Sequence, residues 1–157
     1  MITYYAANGT QQIIFSDDVL TYLAQHRQLG KSDPEAGGQL FAQFSEGVVT
    51  IVQATGPYSR DKRWRFGLMI DHFTRRNDIR RLHRLGLHFV GDWHTHPEPN
   101  PTPSPLDDRS MLDMFRRSKH DLAAFIMVIV GQADAPAGMF VAAVNDDGTH
   151  QLPLKTA

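Results

Sequence analysis

Gly91-Asp92-Trp93-His94-Thr95-His96-Pro97 ends an apolar run, Leu87 to Trp93, and opens a proline-rich segment that leads to Ser104, Pro105, Leu106 and Asp107. The run reads as a strand. Residues two apart on an extended chain point the same way, so the imidazoles of His94 and His96 face one point wherever the strand geometry persists. Asp107, eleven residues beyond His96, can complete a set of three N and O ligands. Three such ligands plus a position for water is the arrangement of a catalytic zinc, whereas a structural zinc is closed by four protein ligands.

Taken alone, each part has a plainer explanation. An isolated His-x-His pair is more often a surface feature than a metal site. Ser104-Pro105-Leu106-Asp107 fits a helix start, with Ser at N-cap, Pro at N1 and Asp at N3. The two explanations of Asp107 are compatible, because a first-turn carboxylate can cap a helix and still aim at a cation. Pro97, Pro99, Pro101, Pro103 and Pro105 alternate through the intervening loop. Each fixes its own φ and donates no amide hydrogen bond. The loop is therefore stiff, which suits a fixed distance between His96 and Asp107.

The combination is more specific than its parts. Upstream lies Glu35-Ala-Gly-Gly-Gln-Leu; then follow His94-x-His96, seven residues, Ser104, two residues and Asp107. This pattern resembles the JAMM motif of the JAB/MPN metallopeptidases, and the resemblance extends over most of the chain. It implies one domain over residues 1–157, of class α/β: a curved, mixed, mostly antiparallel sheet flanked by helices, with a metal at one edge. It also implies roles. His94, His96 and Asp107 hold zinc, Glu35 moves protons opposite the metal, and Ser104 donates to the oxyanion. The implied substrate is the bond after the C-terminal glycine tail of a ubiquitin-like protein or its conjugate. The chain is most similar to the short stand-alone prokaryotic members. Some of those release a conjugated cyclic-nucleotide synthase in antiphage islands, so such a synthase is an expected partner. Two other functions fit the same residues: a non-catalytic MPN scaffold, and a zinc hydrolase of small peptide-like substrates.

Composition narrows the field. A chain of 157 residues, 41% hydrophobic and 21% charged, suits one ordinary globular domain. Its net charge of −1 lacks the basic excess of a general nucleic-acid binder. Without cysteine there is no Cys nucleophile, disulfide, Cys-ligated zinc or Cys-held iron–sulfur cluster. Met1 to Asn8 does not read as a signal peptide, and no run approaches a membrane span. A cytoplasmic protein is expected.

Elsewhere, strands are expected at Ile2–Tyr5 and Gln12–Phe15 around the turn signal Asn8-Gly9. A helix capped by Ser16 should run to a stop near Gly30. Gly37-Gly38 suggests a strand start that another chain or a ligand approaches closely, and Val48–Ala54 the next strand. Asp71 caps a helix to about Leu85, with Phe73, Ile79, Leu82 and Leu85 as its apolar stripe and arginines elsewhere. That basic face is either solvated or a dock for an acidic partner. Gly56–Gly67 is either a surface loop with core-bound aromatics or part of a substrate groove. A helix follows from Leu106 to about Lys119, then strands at Leu122–Val130 and Met139–Val144, with a last edge strand at Gln151–Leu154. Asp92 is a candidate acceptor from a ligand histidine or a solvent-facing residue. Asp108, a rival of Asp107, is expected to serve the helix N-terminus.

Overall fold

A computed structural model describes residues 1–156. Ten strands and three α-helices follow one another: β1 Ile2–Ala6, β2 Gln11–Phe15, α1 Asp17–Gln25, β3 Gly37–Ser45, β4 Val48–Ala54, β5 Lys62–Trp64, β6 Gly67–Met69, α2 His72–His83, β7 His88–Thr95, α3 Pro105–Arg117, β8 Phe125–Val130, β9 Met139–Asn145 and β10 Gly148–Gln151. Eight strands form one sheet in the order β1-β2-β4-β3-β7-β8-β9-β10, and β5 and β6 form a separate hairpin. Neighbours β2–β4 and β7–β8 run parallel, the others antiparallel. This is the expected mixed, mostly antiparallel α/β fold.

The sheet is buried on both faces at its centre. Alternate residues of β8 serve two cores: Ile126, Val128 and Val130 pack with Val19 and Leu23 of α1, while Phe125, Met127 and Ile129 pack with Met111 of α3. The sheet also curls. Tyr5 N–H donates to Pro153 C=O at 2.9 Å and Lys155 N–H to Thr3 C=O at 2.8 Å, so the C-terminal segment returns to β1. The expected edge strand at Gln151–Leu154 therefore needs correcting. The regular strand lies earlier, turning tightly after Asn145, and Leu154 makes only an isolated bridge to Tyr4.

Two helices also differ from expectation. Ser16 caps α1 through its hydroxyl, which accepts from Val19 N–H, but the helix ends at Gln25 and not near Gly30. The chain turns there because Gln28 enters the interior. Its amide donates to Asp33 and Arg65 carbonyls at 3.0 and 2.9 Å, which a continuing helix would forbid. Asp71 does cap α2. Of the expected stripe, however, Leu82 is fully buried, Ile79 is half-buried, and Phe73 and Leu85 are exposed. α2 lies along a groove over β7, so only part of its apolar face meets the sheet.

β3 and β7 form the pairing that positions the site. Gly37 stands opposite His94, Gly38 opposite Trp93 and Gln39 opposite Asp92. A Cβ on Gly38 would lie 1.7 Å from Thr55 C=O, and one on Gly37 would lie 2.7 Å from Trp93 C=O. Both glycines are thus required by close backbone approach, as their positions suggested. Gly38→Ala should destabilise the protein by at least about 1–3 kcal/mol, the usual cost of overpacking. Denaturant midpoints measure this directly, and an unchanged midpoint would contradict the register.

Candidate metal centre

β7 presents Asp92 and His94 toward the groove between α2 and α3, while Trp93 packs into the core on the other face. The strand ends at Thr95, yet the backbone keeps its direction for one residue more, since His96 N–H donates to Val130 C=O at 3.0 Å. His94 and His96 therefore do face one point: their Nε2 atoms are 3.2 Å apart.

Asp107 reaches the same point from α3. Ser104 and Asp107 form a reciprocal capping box: Ser104 Oγ accepts from Asp107 N–H at 3.1 Å, and Asp107 Oδ2 accepts from Ser104 N–H at 2.8 Å. The cap fixes the carboxylate in both position and rotation. Its Oδ1 lies 3.3 Å from His94 Nε2 and its Oδ2 3.2 Å from His96 Nε2. Zinc ligands at roughly 2.0–2.1 Å in tetrahedral array stand about 3.3–3.4 Å from each other. The two Nε2 atoms are nearly at that spacing, each has one Asp107 oxygen at a similar distance, and two imidazoles with a carboxylate suit zinc. These residues fit a cation.

Glu35 comes to the same cleft from the other side of β7. The β3–β7 pairing continues past Gly37: Ala36 N–H donates to Thr95 Oγ1, and Thr95 N–H to Ala36 C=O, both at 2.9 Å. This sets Glu35 beside His96. The β5–β6 hairpin holds its backbone, with Glu35 N–H donating to Trp64 C=O at 2.6 Å and Arg63 Nε donating to Glu35 C=O at 2.8 Å. The Glu35 side chain is buried and lines the cleft with His94, His96, Ser104 and Asp107. All five residues named from the sequence thus meet at one place.

The electrostatics follow from that meeting. Burial raises the Glu35 carboxyl above its usual range; the two imidazoles oppose this shift and the Asp107 carboxylate adds to it. Burial also works to raise Asp107, but hydrogen bonds from His94 and His96, with the Ser104 amide, hold it far below the ordinary carboxylate range. For His96, burial disfavours the charged ring, yet hydrogen bonds to Asp107 and Glu98 outweigh that and raise its pKa.

Other sequence expectations sort themselves here. Asp92 does not accept from a ligand histidine; it forms a two-pronged pair with Arg75 of α2 at 2.8 and 3.0 Å. The acceptor on a ligand histidine is Glu98, whose Oε1 is 2.9 Å from His96 Nδ1. Asp108 points elsewhere, accepting from Thr149 Oγ1 at 2.9 Å. The aromatics of the Gly56–Gly67 stretch do not enter the core: Trp64 and Phe66 are exposed, and Phe66 joins Leu68 and Met69 along the cleft.

The depressed Asp107 and the raised His96 set a pH window. Asp107 stabilises the fold above about pH 3.9 and loses that effect as pH falls. His96 stabilises it below about pH 6.5 and loses that effect as pH rises through its raised value. Asp107→Asn keeps the cap acceptor and removes the charge. In protein held metal-free by a chelator, the stability lost in this variant should be greatest between about pH 4 and 6.5. Urea unfolding across pH tests this; a loss that stays constant from acid to alkali would contradict the coupling.

Comparison with known proteins shows the family. The family described as prokaryotic homologs of the JAB domain matches residues 17–144. A Pseudomonas aeruginosa protein named CD-NTase/cGAS isopeptidase is 34% identical over 134 residues, covering 82% of this chain and 83% of its own. A Vibrio cholerae protein of the same name is 30% identical over 126 residues, covering 78% of each chain. A protein of Desulfitobacterium hafniense, known from a solution structure, shares the fold with a TM-score of 0.63 at 16% identity, over 88% of both chains. With the family match spanning most of its length, this chain belongs to the prokaryotic JAB family.

Proposed function

We propose that this protein is a zinc-dependent isopeptidase that cuts after the C-terminal glycine tail of a ubiquitin-like modifier or its conjugate. The conjugated protein in this proposal is a cyclic-nucleotide synthase of antiphage signalling, in keeping with the names of the relatives. The observation that carries it is the convergence of His94 Nε2, His96 Nε2 and the Asp107 carboxylate in one cleft with a buried carboxyl, Glu35. A scaffold has no use for that combination.

His94 and His96 would each give Nε2, and Asp107 a carboxylate oxygen. Zinc in such a site supplies Lewis acidity, which makes water acidic enough to serve as a nucleophile near neutral pH. The remaining work belongs to the chain. Glu35 takes the proton of the attacking water and returns it to the departing amine. Burial moves the Glu35 carboxyl upward from its ordinary range, the direction that suits a group which must both accept and return a proton. Ser104 Oγ accepts from Asp107 N–H, so its own hydroxyl proton remains available to the oxyanion. The α2–α3 groove leads from the site over β7, past Phe89 to His88, and offers an extended peptide a path.

Cleavage of a ubiquitin-like fusion tests the proposal. Turnover should stop when zinc is chelated. Glu35→Ala should lower turnover by about 100-fold to 10,000-fold with one zinc per chain retained. Ser104→Ala should cost on the order of 100-fold. Undiminished cleavage by Glu35→Ala would remove that residue from the chemistry, and indifference to chelation would remove zinc.

A further inference from the structure

Two residues past His96, the carboxylate of Glu98 stands against the other side of the ring. Its Oε1 is 2.9 Å from His96 Nδ1, while Nε2 of the same ring faces His94 and Asp107. The neutral imidazole carries one N–H and one lone pair, and its hydrogen bonds decide which nitrogen has which. A carboxylate only accepts, so Nδ1 must be the donor. In the neutral ring the lone pair is therefore on Nε2, at the place where Asp107 Oδ2 and His94 Nε2 converge.

We propose that Glu98 is a positioning residue for the candidate metal centre, selecting the His96 tautomer and ring orientation in which Nε2 can bind a cation. This inference rests on the metal-site assignment above and adds a residue to it. Glu98 touches neither substrate nor cation in this account; it acts through His96.

Glu98 is itself well held. Thr102 N–H donates to the same Oε1 at 3.4 Å, so the carboxylate straps the proline-rich loop across one turn. Its backbone carbonyl accepts from Gln132 N–H at 2.8 Å, and Ala133 N–H donates to Pro99 C=O at 3.2 Å. A Cβ on Gly131 would meet the Glu98 and Pro99 carbonyls at 2.6 and 2.7 Å, so the loop after β8 lies directly on this segment. Prolines at 97 and 99 stiffen the chain on both sides of Glu98. The acceptor is thus fixed by backbone contacts and does not depend on the imidazole to order it. No comparable carboxylate is available from β7, where Asp92 is committed to Arg75.

A charged acceptor behind the ring also raises its basicity at Nε2, and removing such an outer partner commonly costs about 10-fold to 100-fold in metal affinity. Zinc affinity of the full chain, measured by competition with a chromophoric chelator, is the readout, and it needs no substrate. Wild type must first bind one zinc per chain; failure there would sink the metal centre itself, before Glu98 is at issue. Given that, Glu98→Ala should weaken zinc binding about 10-fold to 100-fold. Glu98→Gln, whose carbonyl can still accept from Nδ1–H, should recover most of the loss. Urea unfolding of both variants in chelator should stay a single cooperative transition, which separates ring orientation from loss of the fold. Wild-type affinity in Glu98→Ala would overturn the inference. So would equal losses in the Ala and Gln variants, since charge alone would then be acting and not the hydrogen bond.

Discussion

Antiparallel pairing of β3 with β7, carried one residue beyond Gly37 to Ala36, is the constraint on which the site depends. It places Glu35 alongside His96 although sixty residues of other structure separate them in the chain. Such closeness requires backbone against backbone, which is why glycines stand at 37 and 38. The pairing is reinforced from below by a buried polar network. Thr95 Oγ1 donates to Gln28 Oε1 at 2.7 Å and accepts from Ala36 N–H, while the Gln28 amide reaches the Asp33 and Arg65 carbonyls. Gln132 completes it, donating to Gln28 C=O at 2.9 Å. No buried side-chain polar atom of this network lacks a partner, and stranding one would cost on the order of 1–3 kcal/mol. The network joins the segment after α1, the β5–β6 region, β7 and the loop after β8.

The other half of the site rests on local geometry. A capping box is an ordinary way to begin a helix, and here the same hydrogen bonds that begin α3 aim Asp107 at two imidazoles. Asp108, one residue on, diverges to Thr149. The pKa shifts share one cause: anionic and basic groups are gathered in a partly dry cleft with few other partners. The Asp107 carboxylate is favoured there by His94 and His96, and the Glu35 carboxyl is disfavoured by burial and by Asp107. A divalent cation among the same atoms would relieve the crowding of negative charge.

Much of this was legible in the sequence because it rests on short-range rules. Strand alternation gives His94 and His96 a common face, and the Ser-Pro-x-Asp cap gives Asp107 its direction. Gly37-Gly38 marks a close approach. What could not be read depends on who lies opposite. Asp92 looked like a partner for a ligand histidine, but Arg75 arrives from α2 and claims it. Glu98 is hidden in the sequence because a His-x-Glu spacing through proline reads as loop, although that spacing is the available signal. The stripe on α2 misled for a related reason: periodicity reports a helix face, not what covers it, and Phe73 and Leu85 are left exposed. The early end of α1 is explained only by the distant carbonyls that Gln28 must reach. β10 begins earlier than its apolar residues suggest because Asn145-Asp146-Asp147-Gly148 is a tight hairpin turn, with Gly148 at φ +115°.

Anomalous scattering from a crystal of the zinc-loaded chain tests the central claim most directly. The account predicts one peak per chain about 2 Å from His94 Nε2, His96 Nε2 and an Asp107 carboxylate oxygen, with Glu35 across the cleft. A peak at any other histidine pair, or two imidazoles turned away from Asp107 with no peak between them, would contradict it.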